Sequence, residues 1–217
     1  MPVTGFYINL ASSRDRDVRM RRQLQALSLA ARYSRFPAVD GAAPLGLGSA
    51  RPAGEVGCFL SHYNLLRQNA GSEHLHVLED DVILSRHAAG LIESIAVPGG
   101  VIEKFDIILT DAFVGMHMWD IQHYMKLVAE CGVGRIPETG APADIHVIDI
   151  SKQKFACTAS YLVNRGSIAK ICGFLEHEVA ATIRSPRRLA STATSCGGTS
   201  PGCTCTQPGI MRSSTRE

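Results

Sequence analysis

His74-Leu75-His76-Val77-Leu78-Glu79-Asp80-Asp81-Val82-Ile83-Leu84 begins with alternating apolar residues, delivers three consecutive acids and then turns apolar again. Alternation over residues 74–78 predicts a half-buried strand, with β-branched Val77 in its middle. Three adjacent carboxylates repel one another and aspartate is poor in strands, so the strand should end there with the acids at its mouth. Oxygen ligands at that spacing suit a hard divalent ion, Mg²⁺ or Mn²⁺, which keeps waters and substrate phosphates in its remaining positions. Taken alone, Glu-Asp-Asp is more often a solvated acidic turn.

Outward from that stretch, short apolar runs alternate with helical patterns. Gly5 to Leu10 reads as a first strand, central in a parallel sheet. Ser12 or Ser13 is a plausible N-cap for the next helix, with Asp15 in its first turn and Val18, Leu24, Leu27 and Leu29 facing inward. Arg32 to Val39, interrupted by Pro37, is a second strand candidate, and Ala42 to Ala53 a loop. Gly54 to Arg67 reads as a helix whose Val56, Phe59, Leu60 and Tyr63 share a face. Ser61 and His62 lie within it; no third, orienting acid is visible locally, so the pair reads as helix surface rather than as a dyad. Beyond the acids come a helix over about 86–96, the break Pro98-Gly99-Gly100, and a buried strand from Phe105 to Asp111. Helical character over 119–128, loop over 131–142, and an edge or antiparallel strand over 144–150 follow. A further strand over 155–163 leads, through Asn164-Arg165-Gly166-Ser167, to a helix from Ile168 towards Val179. Strands alternating with helices of this length predict an α/β sandwich with a mainly parallel central sheet. Ligands gather at the carboxyl ends of such strands, where Asn9, Asp81 and Asp111 would lie.

The totals exclude little but point one way. The 217 residues are 45% hydrophobic and 19% charged with a net charge of +2, ordinary for a soluble globular chain. No basic run with interleaved aromatics suggests nucleic acid, and no apolar run is long enough to span a bilayer. Met1-Pro2-Val3-Thr4-Gly5 lacks a basic n-region and a long apolar h-region, so a cytoplasmic address is expected. Cys58, Cys131, Cys157 and Cys172 stand singly in apolar surroundings and read as buried thiols of a reducing compartment.

Four ordered stretches resemble glycosyltransferase family 25, the lipooligosaccharide galactosyltransferases and their relatives. They are Tyr7-Ile8-Asn9-Leu10 with Asp15-Arg16; Val39-Asp40-Gly41; Gly54-Glu55-Val56-Gly57-Cys58-Phe59-Leu60-Ser61-His62; and Val77-Leu78-Glu79-Asp80-Asp81-Val82. Thr158 to Val163 is similar to a later segment of the family, and the likeness covers about residues 5–180. It implies a GT-A-like nucleotide-diphosphosugar transferase fold over residues 1–183. It also implies transfer of a sugar, galactose by preference, from a UDP-sugar to a lipooligosaccharide or other lipid-linked saccharide acceptor, with inversion. By the same likeness Asp81, with Glu79 or Asp80, would hold a divalent cation, Mn²⁺ or Mg²⁺, bridging the donor diphosphate. Asn9, Arg16, Asp40, Ser61 and His62 match positions on the donor side. Peripheral association with the inner face of the cytoplasmic membrane is expected from the family's acceptors. An inverting displacement needs a base for the acceptor hydroxyl; Asp111 is the candidate, Asp149 a second, and a capping role for Asp111 stays open.

From about Arg184 the composition shifts to Ser, Thr, Gly, Pro and Arg, with Cys196, Cys203 and Cys205 at spacings that fit no four-ligand zinc site. Residues 184–217 are expected to be a disordered tail, and a shifted reading frame would account for it. The alternative function that follows is a nucleotide-sugar-binding remnant with impaired catalysis.

Overall fold

The computed structural model describes residues 3–42, 51–71, 73–114 and 155–184, with a few helical positions between 121 and 129. The expected features at 131–150, with Asp149, and the tail from 185 onward lie outside the described residues.

Five strands form one sheet: β1 (Val3–Asn9), β2 (Tyr33–Pro37), β3 (His74–Glu79), β4 (Ile107–Val114) and β5 (Phe155–Val163). Their order is β2-β1-β3-β5-β4. Strand β1 pairs in parallel with both β2 and β3. Strand β5 runs antiparallel to both of its neighbours, β3 and β4. The sheet is therefore mixed, a correction to the mainly parallel sheet that strand–helix alternation predicted. Residues 160–163 of β5 are buried on both faces whichever way the strand points, so they carry no sign of direction.

Both faces are covered. Helix α1 (Arg14–Ala26) packs Met20 and Leu24 against Tyr7, Leu78 and Val82 on one face. Helix α3 (Ala88–Ala96) shares that side, with Ile92 and Ile95 against Ile102 and Leu162. On the other face, α2 (Ala53–Gln68) brings Leu65 and Leu66 onto Ile8, Phe36, Leu75 and Val77. Helix α4 (Ile168–Arg184) adds Ile168 and Cys172 to the same cluster. It is anchored by Asp106, whose carboxylate accepts from Ser167 Oγ at 2.5 Å and Lys170 Nζ at 2.7 Å. Val18, expected inward, faces solvent, because the buried stripe of α1 runs through Met20 and Leu24 instead.

Strands β3 and β4 both differ from what their sequences predict. Strand β3 is not half-buried: His74 and His76 are each 2% exposed. Helices on both faces leave neither side to water, and the imidazoles are accommodated by hydrogen bonds. His76 Nδ1 meets Tyr33 Oη at 2.5 Å and Nε2 lies 3.0 Å from Ser160 Oγ, while His74 Nδ1 accepts from the Arg165 amide at 3.2 Å. Tyr33 reaches His76 across the intervening strand because Gly5, paired with both, has no side chain. A Cβ on Gly5 would stand 2.4 Å from the Tyr33 ring. Strand β4, expected to end at Asp111, continues to Val114 through irregular pairing on either side of that residue.

The connections matter for function. From β1 the chain crosses α1's face to reach β2 on one side; from β2 it returns over α2's face to β3 on the other side of β1. The winding thus reverses between β1 and β3, and a crevice outside the carboxyl ends of those two strands is where α/β sheets receive ligands.

Candidate functional site

Asn9, the last residue of β1, lies at that reversal point and is 1% exposed. An amide buried so deeply must be satisfied, and its groups are. Its Nδ2 donates to Asp80 Oδ2 at 2.7 Å and to the Ser13 carbonyl at 3.0 Å, its Oδ1 accepts from Arg35 Nε at 2.7 Å, and its own carbonyl accepts from Arg35 Nη2 at 3.1 Å. Asn9 thereby ties the end of β1 to the start of α1, to β2 and to the turn after β3. Ser13 occupies the expected N-cap position, yet its side chain makes no capping bond.

The three acids go to different partners. Asp80 turns inward: besides Asn9 it accepts from Arg16 Nη1 at 3.0 Å, so each carboxylate oxygen has a donor. Arg16, in the first turn of α1, is still 46% exposed along its side chain, and it also lies 3.7 Å from Asp81. Asp81 is open to solvent, its side chain 56% exposed. Arg19 reaches the Asp80 carbonyl at 3.4 Å. Three arginines thus gather at this end of the sheet, Arg16 on the Asp80 carboxylate, Arg19 on the Asp80 carbonyl and Arg35 on Asn9.

Glu79 faces the α2 side. Its Oε1 is 3.5 Å from His62 Nε2, and Thr158 Oγ1 points to the same oxygen at 3.5 Å. The His62 imidazole beside it holds the Glu79 carboxyl below its usual range, against the opposing effect of burial. His62 Nδ1 in turn meets Tyr161 Oη at 2.8 Å. An acid for His62, absent from the local sequence, is thus supplied by Glu79 from the end of β3, while buried Ser61 turns away to the Gly57 carbonyl, so the two do not form a dyad. Cys58 belongs to the same group. It is half-buried rather than buried, and the possible ligand atoms of Cys58, His62 and Glu79 all lie within 4.8 Å of one another. Among the described residues this is the one such trio, and Glu79, Asp80 and Asp81 do not form another.

Ser61 and Asp40 have roles in building the site's wall. Ser61 Oγ accepts from the Val39 amide at 2.8 Å and donates to the Gly57 carbonyl at 2.6 Å. Gly57 permits this contact: a Cβ there would lie 2.7 Å from both the Gly41 nitrogen and the Val39 oxygen. Two stretches separated in sequence, Val39-Asp40-Gly41 and Gly54 to His62, are therefore one packed unit. Asp40 is exposed and closes its turn by accepting from the Ala42 amide at 2.9 Å. Asp111 is exposed on β4, across from Ser160 of β5, and is not in contact with the Asn9–Asp80 group. A broad depression of about 640 Å³ lies at the opposite ends of the strands, bordered by Thr4, Ser34, Glu73 and Glu93, away from the acids.

Sequence reasoning does not single out Arg35 and Tyr161, and it reads Cys58 only as a buried thiol. Only Cys58 carried a readable signal, since Cys58 and His62 are four apart and share one helix face.

A mixed α/β sheet whose winding reverses beside a cluster of arginines, an amide and carboxylates gathers its charged groups at the carboxyl ends of β1 and β3. Residues 48–181, more than half of the chain, match the model of glycosyltransferase family 25 (LPS biosynthesis protein). The protein belongs to that family, a glycosyltransferase of lipopolysaccharide biosynthesis, so a sugar donor and a saccharide acceptor are its partners by class. The matched span runs from just before α2 into α4 and contains the acids and His62. No helix among the described residues is long and apolar enough to cross a membrane.

Proposed function

We propose that the chain transfers galactose from UDP-galactose to a lipid-linked saccharide, with inversion, and that the donor diphosphate is received in the crevice between β1 and β3. The observation that carries this reading is the Asn9–Asp80–Arg16 group at the winding reversal. Asp80 is consumed in holding Asn9 and Arg16 in place, which leaves the exposed part of the Arg16 guanidinium to meet phosphate oxygens. The donor set also fits a hard divalent cation, Mn²⁺ or Mg²⁺. Asp81 offers one open carboxylate at the mouth, and such ions are held by one or two carboxylates together with substrate phosphates. Bound there, the cation would neutralise charge gathering on the departing nucleoside diphosphate. Asp111, exposed on β4 with β5 between it and β3, is the base for the acceptor hydroxyl. The acceptor places the reaction at the inner face of the cytoplasmic membrane.

Purified protein with Mn²⁺ and UDP-galactose should release UDP in the presence of a lipooligosaccharide acceptor. Asp111→Asn should abolish transfer and retain UDP binding. Arg16→Ala together with Asp81→Asn should lose UDP binding, and unchanged binding in that double variant would sink the crevice assignment.

A further inference from the structure

The Cys58–His62–Glu79 trio is not needed to explain the Asn9–Asp80–Arg16 crevice, and its chemistry differs. Oxygen ligands alone suit Mg²⁺ and Mn²⁺, whereas a thiolate, an imidazole and a carboxylate suit a softer ion. We infer that Cys58, His62 and Glu79 form a binding site for a thiophilic divalent ion of the Zn²⁺ type, joining α2 to the end of β3.

Three features of the geometry carry the inference. Cys58 and His62, one helical turn apart on α2, present sulfur and nitrogen from the same face towards Glu79. His62 Nε2 and Glu79 Oε1 stand 3.5 Å apart. That is long for a charge-assisted hydrogen bond, which has about 2.8 Å between its heavy atoms. Two ligands of one tetrahedral zinc, with bonds of about 2.1 Å, are separated by roughly 3.5 Å. The other ring nitrogen, Nδ1, is engaged by Tyr161 Oη at 2.8 Å, so Nε2 is the atom directed at the trio. A second partner that fixes the ring in this way is the usual companion of a metal-binding histidine. All three residues are half-buried, sheltered from bulk water yet reachable. Binding would take the thiol proton from Cys58 to solvent, engage neutral imidazole and carboxylate, and leave a fourth position for water or a small anion.

The test uses the full chain, stripped with a chelator and titrated with Co²⁺ and then Zn²⁺. One equivalent of Co²⁺ should give tetrahedral visible bands and a thiolate-to-metal charge-transfer band, and Zn²⁺ should abolish them while excess Mg²⁺ does not. Cys58→Ser should remove the charge-transfer band, and Tyr161→Phe should weaken Zn²⁺ binding by about tenfold. Metal-free circular dichroism checks that each variant folds. The chain in which Cys196, Cys203 and Cys205 are all changed to serine should keep the band. A band that survives Cys58→Ser, or vanishes only in the triple serine variant, assigns the ion elsewhere and overturns the inference. Absence of a thiolate band in the unaltered chain does the same.

Discussion

The centre of the sheet and its carboxyl edge both bury polar side chains against β3, and they do so with opposite economies of charge. At the centre, Tyr33, His76, Ser160 and Thr110 form a chain across the strands, with Thr110 Oγ1 and Ser160 Oγ 2.6 Å apart. Each member is neutral, and burial keeps His76 so by pushing its pKa down to about 4. At the edge, Asn9, Asp80, Arg16 and Arg35 bring full charges together, and the group opens to solvent through Arg16 and Asp81. Among the described residues no buried side-chain nitrogen or oxygen lacks a partner, so neither group is a packing fault. A closed neutral chain can specify how strands align; an open charged one has capacity left for a ligand. Mutations should separate the two groups by what they cost.

The largest effect is expected at the edge. Asp80→Ala removes the acceptor of one Asn9 Nδ2 hydrogen bond and leaves Arg16 without its carboxylate, loosening the amide that Arg35 holds from the other side. A loss of about 2–4 kcal/mol in unfolding free energy should follow, read by urea denaturation. Transfer should fall by about a thousandfold, because Arg16 is no longer aimed. A stable Asp80→Ala protein with full activity would show that the edge is as purely structural as the centre.

Next comes the centre, through pH. The His76 pKa is lowered from 6.5 unfolded to about 4 folded. The unfolded chain therefore binds the extra proton first, and stability falls as pH drops from 6.5 towards 4. The full loss is about 3 kcal/mol. His74, also lowered by burial, adds in the same sense. Glu79, lowered by His62, adds its own loss only below the ordinary glutamate range, so the window between pH 6.5 and 4.5 belongs to the histidines. Urea midpoints across that window should slope in the unaltered chain and slope much less in His76→Gln. An equal slope in both would mean that His76 is not the buried neutral group.

Asp81→Asn returns to the edge with a narrower question. The Asp81 carboxylate is exposed and only 3.7 Å from Arg16, a contact worth little to the fold. Urea midpoints should stay where they are while transfer at limiting Mn²⁺ drops by about a hundredfold. Were stability to fall with activity, Asp81 would have to be counted with Asp80.

How far the sequence revealed this division differs between the two groups. Strand β3 was legible from Leu75, Val77 and Leu78, and its end from the repulsion of three acids. The burial of His74 and His76 was not, since an imidazole is polar by composition and becomes a core residue only when a Tyr33 or a Ser160 is brought to it. Gly5 gave no local sign either, because its meaning depends on which residues pair beside it. At the edge, Asn9 and Arg16 could be nominated as strand-end and first-turn residues, whereas the split of Glu79, Asp80 and Asp81 among three surroundings required the turn itself. Local periodicity reports which face a residue occupies; it does not report which distant side chain shares that face. The direction of β5 was hidden for the same reason.

The smallest effect tests whether the central chain is structural alone. Tyr33→Phe keeps the ring that fills the space over Gly5 and deletes only the hydroxyl 2.5 Å from His76 Nδ1. The lost hydrogen bond, with an imidazole nitrogen left bare, should cost about 1 kcal/mol. The ring packing against His76, at 5.8 Å between centroids and 82° between planes, should survive. Tyr33 and Asn9 lie at opposite ends of the paired segments of β1 and β2, so KM for the donor should not move. A change in KM from so small a deletion would mean that strain at the centre is transmitted along β1 to Asn9, and the neutral chain would then be a positioning device for the charged one.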